Sequence, residues 1–206
     1  MIIKLLLIIT IIFIVFMSNK NVVTTYGTIT DSGLGKLFST LDLADSDVFL
    51  DAGSGKGNVV EFVAKNTPIK IVRGIEYLED RYNESVTNID LFKKQNLDLN
   101  NKYVKVIHGN MYDSINNYLF ENSTIIFTCS TCFPDKLMDY IRDKCIENKN
   151  LKYLITQKYL LDYKTLHYLG KIIVECSWTN TCSHHIYSNT IKNKKIEEMY
   201  NSKCLK

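Results

Sequence analysis

The sequence predicts an α/β fold: a mostly parallel sheet with a C-terminal antiparallel hairpin, preceded by an N-terminal hydrophobic helix. Short apolar runs alternate with amphipathic segments of helical periodicity from about residue 34 to residue 188. This alternation is typical of a parallel sheet covered by helices. The last two apolar runs, 171–178 and 184–188, are too close in sequence for a parallel crossover, so we expect them to form a hairpin.

The composition is that of a globular protein. The chain has 206 residues, of which 46% are hydrophobic and 23% are charged. The net charge of +3 is too small to indicate nucleic-acid binding, which usually requires a marked basic face. We expect one domain over residues 22–191, between a hydrophobic segment at 1–17 and a basic tail at 192–206.

Residues 1–17 form an apolar run in which Lys4 is the one charge. As a helix this run would be about 26 Å long, just short of a ~30 Å hydrocarbon core. It has no polar face, which a helix on a domain surface needs, and no small-residue cleavage site follows it. We therefore expect a membrane anchor rather than a buried core helix or a cleaved signal peptide.

The first half of the domain contains two strands and three helices. Apolar residues at helical spacing predict a first helix over 34–41. The run 47–51 predicts a buried strand that ends in a turn, and helical spacing returns over 56–66. A second strand over 69–76 then precedes an amphipathic helix over 78–97.

The second half continues the same alternation. Apolar runs predict strands over 102–107, 124–129 and 151–156. A helix lies before the last of these strands, from Pro134 to about Glu147. Proline suits the first turn of a helix because its φ is already fixed near the helical value.

A glycine-rich loop, Asp51-Ala-Gly53-Ser-Gly55-Lys-Gly57, joins the first strand to its helix. Ligands of open α/β sheets bind at the carboxyl ends of the strands, where such a loop lies. A phosphate-binding P-loop requires a hydroxyl residue after the lysine, where this chain has Gly57. A dinucleotide site prefers G-x-G-x-x-G, whereas position 58 is Asn, and the Asp51 carboxylate would repel a pyrophosphate.

Glu76 is the second informative residue, because it lies at the end of the second strand, 19 positions after Gly57. An acidic residue about 20 positions after the glycines commonly binds ribose hydroxyls. S-adenosyl-L-methionine carries a sulfonium and an ammonium group, and the Asp51 carboxylate complements both. We therefore expect this cofactor rather than a glycine turn that merely connects strand to helix.

The segment VFLDAGSGKGNVV at 48–60, followed by GIE at 74–76 and HGNMYD at 108–113, resembles the catalytic domain of the non-SET histone-lysine methyltransferases (disruptor-of-telomeric-silencing-like). This family has a class I methyltransferase (Rossmann-like) fold and uses S-adenosyl-L-methionine. The resemblance extends over residues 26–190 and implies the same fold and cofactor for this chain.

Three further segments carry the resemblance. Residues 26–30 are similar to the Y-G-E-T cofactor loop of the family, and 123–127 to the strand before its catalytic loop. Residues 176–179 and 183–188 are similar to its closing hairpin. The hairpin and the Tyr-Gly loop are more specific to the family than the glycine motif, which many methyltransferases share.

The resemblance implies a set of cofactor-binding residues. Glu76 would bind the ribose hydroxyls, and Asn110 and Met111 would face the adenine, where the family has Asp and Phe. Tyr26, with Ile29 or Thr30, would close over the methionine end. The complete set is Tyr26, Ile29, Thr30, Asp51, Gly53, Ser54, Gly55, Gly57, Asn58, Glu76, Asn110 and Met111.

The resemblance implies three residues at the methyl-acceptor end: Ser130, Trp178 and His184. Trp178 would form a wall of the channel that admits the acceptor. Ser130 lies in Cys-Ser-Thr, where the family has Asn-Asn-Phe, and His184 replaces a hairpin tyrosine. Both departures concern acceptor specificity rather than the cofactor.

The expected acceptor is a lysine of a protein partner, with histones among the candidates. Two alternatives stay open: methylation of another amine or a small molecule, and a catalytically silent cofactor-fold scaffold at a membrane. Methyl transfer to an amine depends on positioning and charge complementarity, and the intact Asp51, glycines and Glu76 argue against a silent protein.

Cysteines predict neither disulfides nor a metal site. The six cysteines are irregularly spaced, as expected for reduced thiols in a domain that faces the cytosol. Cys129 and Cys132 have the spacing of half a zinc or redox site, but no second pair at matching spacing follows. His184 and His185 are better explained as neighbours on an alternating strand, so no metal is predicted.

Overall fold

Seven strands and five helices make up most of the regular structure of the computed structural model, which describes residues 27–161 and 165–189. The strands are β1 Val48–Ala52, β2 Ile71–Glu76, β3 Tyr103–His108, β4 Ile125–Thr128, β5 Tyr153–Thr156, β6 His167–Cys176 and β7 Thr179–Ser188. The helices are α1 Asp31–Phe38, α2 Asn58–Asn66, α3 Glu79–Gln95, α4 Asn117–Glu121 and α5 Asp135–Glu147.

The strands form one sheet in the order β3-β2-β1-β4-β5-β7-β6. The first five pair in parallel, and β7 pairs antiparallel with both β5 and β6. The predicted parallel sheet with a C-terminal hairpin is therefore confirmed. The strand order reverses between β1 and β4, and this switch point brings the loops after those two strands side by side.

Both faces of the sheet are covered, and the central strands β1, β4 and β5 are accordingly almost entirely buried. Alternate residues of β1 point to opposite faces, Phe49 into one core cluster and Leu50 into the other. The first cluster includes buried residues of α1, α2 and β6, and the second includes buried residues of α4 and α5. Every residue of β4 and β5 is buried. These two strands therefore provide a well-packed support for the loops that follow them.

The segment before α1 is attached to the C-terminal hairpin. Ile29 forms an isolated antiparallel bridge with Cys176, and the Thr30 N–H donates to Glu175 O at 3.2 Å. The Thr30 hydroxyl accepts the Gly33 N–H at 3.1 Å and caps the helix. This cap explains why α1 begins three residues before the predicted helix.

Three other elements differ clearly from the predicted ones. Strand β7 begins at Thr179 rather than at residue 184. Helix α4 is only five residues long, too short to show a helical period in the sequence. Strand β6 begins at His167 rather than at residue 171. The register with β7 shifts between Tyr168 and Gly170, and this irregularity breaks the alternation by which a strand is recognised.

The predicted membrane-anchored location, with the domain in the cytosol, is not supported and we correct it. Within 27–161 and 165–189, no helix combines the length and the apolar character needed to cross a bilayer. The longest of these helices, α3, has 17 residues and carries several charges, which hydrocarbon does not tolerate. The run 1–17, Tyr26 and the tail 192–206 lie outside the described residues, and the predicted hydrophobic helix and membrane partner are withdrawn.

Candidate active site

A cavity of about 620 Å³ lies at the carboxyl ends of the parallel strands. Its walls come from the loops that follow β1 to β5 and from the turn between β6 and β7. This volume lies within the usual range for small-molecule sites, and the position is the switch point where open α/β sheets bind their ligands.

The glycine loop forms one wall in a conformation that requires glycine. Gly53, Gly55 and Gly57 have φ angles of 88°, 54° and 90°, in the left-handed region that other residues rarely adopt. A Cβ on Gly53 would also lie 2.5 Å from the Phe133 ring. The Gly53 N–H donates to Ile75 O at 2.9 Å, so the loop is held against β2.

Glu76 is held in place by two backbone groups. Its Oε2 accepts the Gly55 N–H and its Oε1 accepts the Leu78 N–H, both at 2.8 Å. The side chain is 6% exposed and lines the cavity. A carboxylate oxygen can accept more than one hydrogen bond, so both oxygens retain capacity for a ligand hydroxyl.

Asp51, at the start of the glycine loop, is a buried carboxyl with an oxygen that no described residue binds. It is 2% exposed, and its Oδ1 has no hydrogen-bond partner among the described residues. Burial raises the pKa of this carboxyl well above 3.8, and the charge of Glu76 raises it further. The hydroxyl of buried Ser54 is likewise unpartnered within the described part of the chain. A cationic, hydrogen-bonding group bound beside them would satisfy both oxygens.

The loops after β2 and β3 form the opposite end of the cavity. The predicted residues Asn110 and Met111 line it, and Asn110 Oδ1 accepts the Tyr112 N–H at 3.0 Å. Four residues of this end were not predicted: Tyr77, Leu78, Arg81 and Tyr112. The signal for the first two is their position directly after Glu76, where the chain leaves the strand beside the ligand.

Trp178 lines the far end of the cavity from the turn between β6 and β7, and its role towards an acceptor stays a prediction. Its ring packs on Gly27, where a Cβ would lie only 2.3 Å from a ring carbon. Cys129, Thr131 and Gln157 line the same end. Burial, with a smaller effect of Asp51, raises the pKa of Cys129 to about 12, so its thiol stays neutral.

Ser130 and His184 do not line the cavity. Ser130 is fully buried, and its hydroxyl accepts the backbone N–H groups of Gln157 at 3.2 Å and Lys158 at 3.1 Å. His184 lies in the core, stacked on Phe127 at 6.0 Å. Within the described residues its two ring nitrogens have no partner, and burial lowers its pKa to about 4. Their predicted catalytic roles stay predictions. Their buried positions favour roles in which they support the residues that line the cavity, without touching a ligand.

The remaining predicted cofactor residues lie around the cavity rather than in its wall. Ile29 is buried against β6, Thr30 caps α1, and Gly57 and Asn58 begin α2. Tyr26 lies outside the described residues. The structure therefore brings Gly53, Gly55, Glu76, Asn110, Met111 and Trp178 together around one cavity. Asp51 and Ser54 lie in and beside the glycine loop but do not line the cavity.

Comparison with known proteins identifies the family. The family model described as "Histone methylation protein DOT1" matches residues 18–187. The chain belongs to this family. A histone-lysine N-methyltransferase, H3 lysine-79 specific, from Dictyostelium discoideum is 28% identical over 96 residues. That alignment covers 45% of this chain but only 5% of the relative, so the chain spans a small part of the relative's length.

Solved structures share the fold of this DOT1-family protein. An RNA methyltransferase from Salinibacter ruber, in complex with S-adenosyl-L-homocysteine, is 15% identical with a TM-score of 0.53, covering 78% of this chain and 94% of that one. A putative tRNA (m1A22) methyltransferase from Streptococcus pneumoniae, in complex with S-adenosyl-L-methionine, is 15% identical with a TM-score of 0.53, covering 77% and 73%. At this identity the likeness shows a class I methyltransferase (Rossmann-like) fold.

Membership of this family and the class I methyltransferase fold both point to S-adenosyl-L-methionine as the cofactor, and two structural neighbours are complexes with it or with S-adenosyl-L-homocysteine. The residues present fit this cofactor. The unpartnered Asp51 carboxyl would complement its cationic methionine end. The fixed Glu76 oxygens could accept ribose hydroxyls, and Met111 could provide an apolar surface for the adenine.

Proposed function

We propose that this DOT1-family methyltransferase transfers a methyl group from S-adenosyl-L-methionine to the side-chain amine of a protein lysine, with a domain spanning residues 22–191. When bound, the cofactor supplies an electrophilic methyl group. The amine lone pair forms the new nitrogen–carbon bond, the electron pair of the broken bond stays on sulfur, and a proton leaves the nitrogen to solvent.

The observation that carries this proposal is the distribution of charge around the cavity. Among the described residues that line it, only Glu76 and Arg81 are charged, and both lie at the ribose and adenine end. The end formed by Cys129, Thr131 and Trp178 has neutral side chains. A neutral, partly buried surface lowers the pKa of an amine, and the amine must lose its proton before it can attack.

The aromatic surface at the same end suits a long aliphatic stem. Trp178 is 46% exposed and forms the outer part of the wall, where the four methylene groups of a lysine would pack before the amine enters. Phe133 and Pro134 line the cavity from the loop after β4. An acceptor held between these surfaces approaches the methyl group in one direction. Fixing this orientation is the main contribution a protein can make to the reaction.

The resemblance to a lysine methyltransferase supports this acceptor. The Dictyostelium relative is described as specific for lysine 79 of H3, whereas the two RNA-modifying proteins share only the fold. In this proposal Ser130 and His184 act from behind the cavity: Ser130 holds the loop after β4 to β5, and His184 supports the core beneath it.

The test is methyl transfer by the full chain with radiolabelled cofactor. The substrates are core histones, nucleosomes, lysine-rich peptides and total RNA, and labelled products are analysed by mass spectrometry. We expect label on the ε-nitrogen of lysine. Label that appears only in RNA, or only in small molecules of a lysate, would assign a different acceptor.

Two carboxyl variants test whether the labelling depends on the cofactor site of this protein. Asp51→Asn should abolish labelling, because it removes the carboxylate proposed to anchor the methionine end. Asp45→Asn should leave labelling unchanged, because Asp45 is an exposed partner of Lys70 before β1, at the opposite end of the sheet. Equal loss in both variants would indicate damage to folding instead.

A further inference from the structure

Gln157 connects three parts of the acceptor end. It follows β5 directly, is 9% exposed and lines the cavity. Its Oε1 accepts both the backbone N–H of Thr131, at 3.1 Å, and the Thr131 hydroxyl. Its Nε2 donates to Cys182 Sγ at 3.2 Å. One amide thus joins the loop after β4 to strands β5 and β7.

The orientation of this amide follows from its partners. A backbone N–H only donates, so the oxygen of Gln157 has to face Thr131 and its nitrogen has to face Cys182. Both lone pairs of Oε1 are then occupied by Thr131. The hydroxyl hydrogen of Thr131 is committed to Gln157, and the Thr131 oxygen retains lone pairs but no hydrogen for a ligand.

This arrangement means that the methyl-acceptor end of the cavity can accept a hydrogen bond at Thr131 but cannot donate one there. Thr131 lines the cavity, and the group it offers to a ligand there is a hydrogen-bond acceptor. A neutral amine has one lone pair for the methyl carbon and N–H groups that can donate to such an oxygen. As the methyl group transfers, positive charge develops on the nitrogen, and a hydrogen bond from nitrogen to oxygen becomes stronger.

We propose that Gln157 is a positioning residue that fixes the Thr131 hydroxyl as a hydrogen-bond acceptor, and that this pair selects methyl acceptors whose reacting nitrogen carries a hydrogen. The proposal rests on the proposed methyl transfer to an amine and adds to it the residues that orient that amine. The sequence departs from its family in the loop that contains Ser130, and Gln157 provides an amide at this end from the neighbouring strand.

Binding of small amines tests the selection without requiring turnover. The full chain, saturated with S-adenosylhomocysteine, is titrated with n-butylammonium and with n-butyltrimethylammonium, which has no N–H group. We expect the wild type to prefer n-butylammonium by about tenfold, the value of one hydrogen bond to a charged group. In Gln157→Leu and Thr131→Val the preference should fall to near unity, while Thr131→Ser should retain it.

Matched controls separate this effect from general damage. Gln95→Leu and Thr87→Val make the same changes at exposed positions of α3 and should retain the preference. The double variant Gln157→Leu/Thr131→Val should lose no more than either single variant, because both remove the same hydrogen bond. Equal binding of the two amines by the wild type, or full preference in Gln157→Leu, would overturn the proposal.

The experiments distinguish failure of the positioning role from failure of the proposed lysine methylation. Absence of lysine methylation together with an intact, Gln157-dependent amine preference would reject the lysine acceptor and keep the positioning role. Lysine methylation with unchanged kcat in Gln157→Leu and Thr131→Val would keep the function and reject the positioning role. A positioning role predicts a lower kcat on a lysine peptide with unchanged affinity for S-adenosylhomocysteine.

Discussion

The Gly55 N–H and Glu76 Oε2 are joined by a hydrogen bond of 2.8 Å between residues 21 positions apart. This bond connects the glycine loop after β1 to the carboxyl end of β2. With the second bond, from the Leu78 N–H to Oε1, it fixes the plane of the carboxylate in the cavity wall. The group that would bind the ribose is therefore oriented before any ligand arrives.

Glu76→Gln should weaken binding of S-adenosylhomocysteine by roughly 10–150-fold, corresponding to ~1.5–3 kcal/mol for a hydrogen bond to a charged group. The change is more disruptive than its size suggests, because both Glu76 oxygens accept N–H groups and an amide offers only one oxygen. Calorimetric titration measures the affinity. Glu121→Gln, at an exposed position at the end of α4, should bind like the wild type; unchanged affinity in Glu76→Gln would contradict the ribose role.

Cofactor binding should release a proton from Asp51. Its pKa is raised above 3.8 by burial, and a cationic ligand beside it favours the ionised form. Titrations in two buffers with different ionisation enthalpies should give different apparent binding enthalpies near the raised pKa, and Asp51→Asn should remove that difference. Equal enthalpies in both buffers across the acidic range would show that Asp51 does not change its charge on binding.

The unliganded protein should lose stability as pH rises above about 4 through the raised pKa of Asp51. In that window the folded state holds a proton that the unfolded state has released, so unfolding is favoured by higher pH. Asp51→Asn should flatten this part of the curve of unfolding free energy against pH. Urea unfolding at closely spaced pH values measures it, with Asp45→Asn as the surface control.

His184→Phe should stabilise the protein by about 1–3 kcal/mol, because it replaces two buried nitrogens without partners among the described residues and keeps a ring stacked on Phe127. The wild type should also lose stability as pH falls from about 6.5 towards 4, since the pKa of His184 is lowered to about 4 and the unfolded state binds the proton first. The variant should lack this component. Lower stability in the variant at neutral pH would contradict the assignment of His184 to the core.

The same variant tests the predicted catalytic role of His184. A residue that touches the acceptor should be needed for turnover, so His184→Phe would then lower kcat while leaving affinity for S-adenosylhomocysteine unchanged. The buried position leads us to expect turnover within a few-fold of the wild type. Initial rates on the best substrate found decide between the two roles.

Trp178→Ala should lower the rate of methyl transfer by about 100-fold, because loss of the wall loosens the approach of the acceptor. Gly27→Ala should have a similar effect, since its Cβ would lie 2.3 Å from the Trp178 ring and displace it. In the Trp178→Ala background, Gly27→Ala should add little. Gly35→Ala is the control, because a Cβ there meets only one side-chain atom, at 4.0 Å; a normal rate for Gly27→Ala would contradict the packing argument.

The sequence by itself determined the alternation of strands and helices, the terminal hairpin, and the cofactor loop with Glu76. These features depend on neighbouring residues: periodicity shows which faces of an element are apolar, and a βα unit of ordinary length brings Gly55 close to Glu76. The family motifs at 48–60, 74–76 and 108–113 added the expected chemistry, methyl transfer, because they include residues that line the cavity.

Only the tertiary structure decided which residues meet at the acceptor end. Strand alternation separates His184 from His185, but it does not say whether the inward side chain faces a cavity or a packed core. The stack on Phe127, a member of the first core cluster, places His184 in the core. Likewise, Thr131 and Gln157 are 26 positions apart and follow different strands. They meet because β4 and β5 pair in parallel and end together, a consequence of strand order that no local pattern carries.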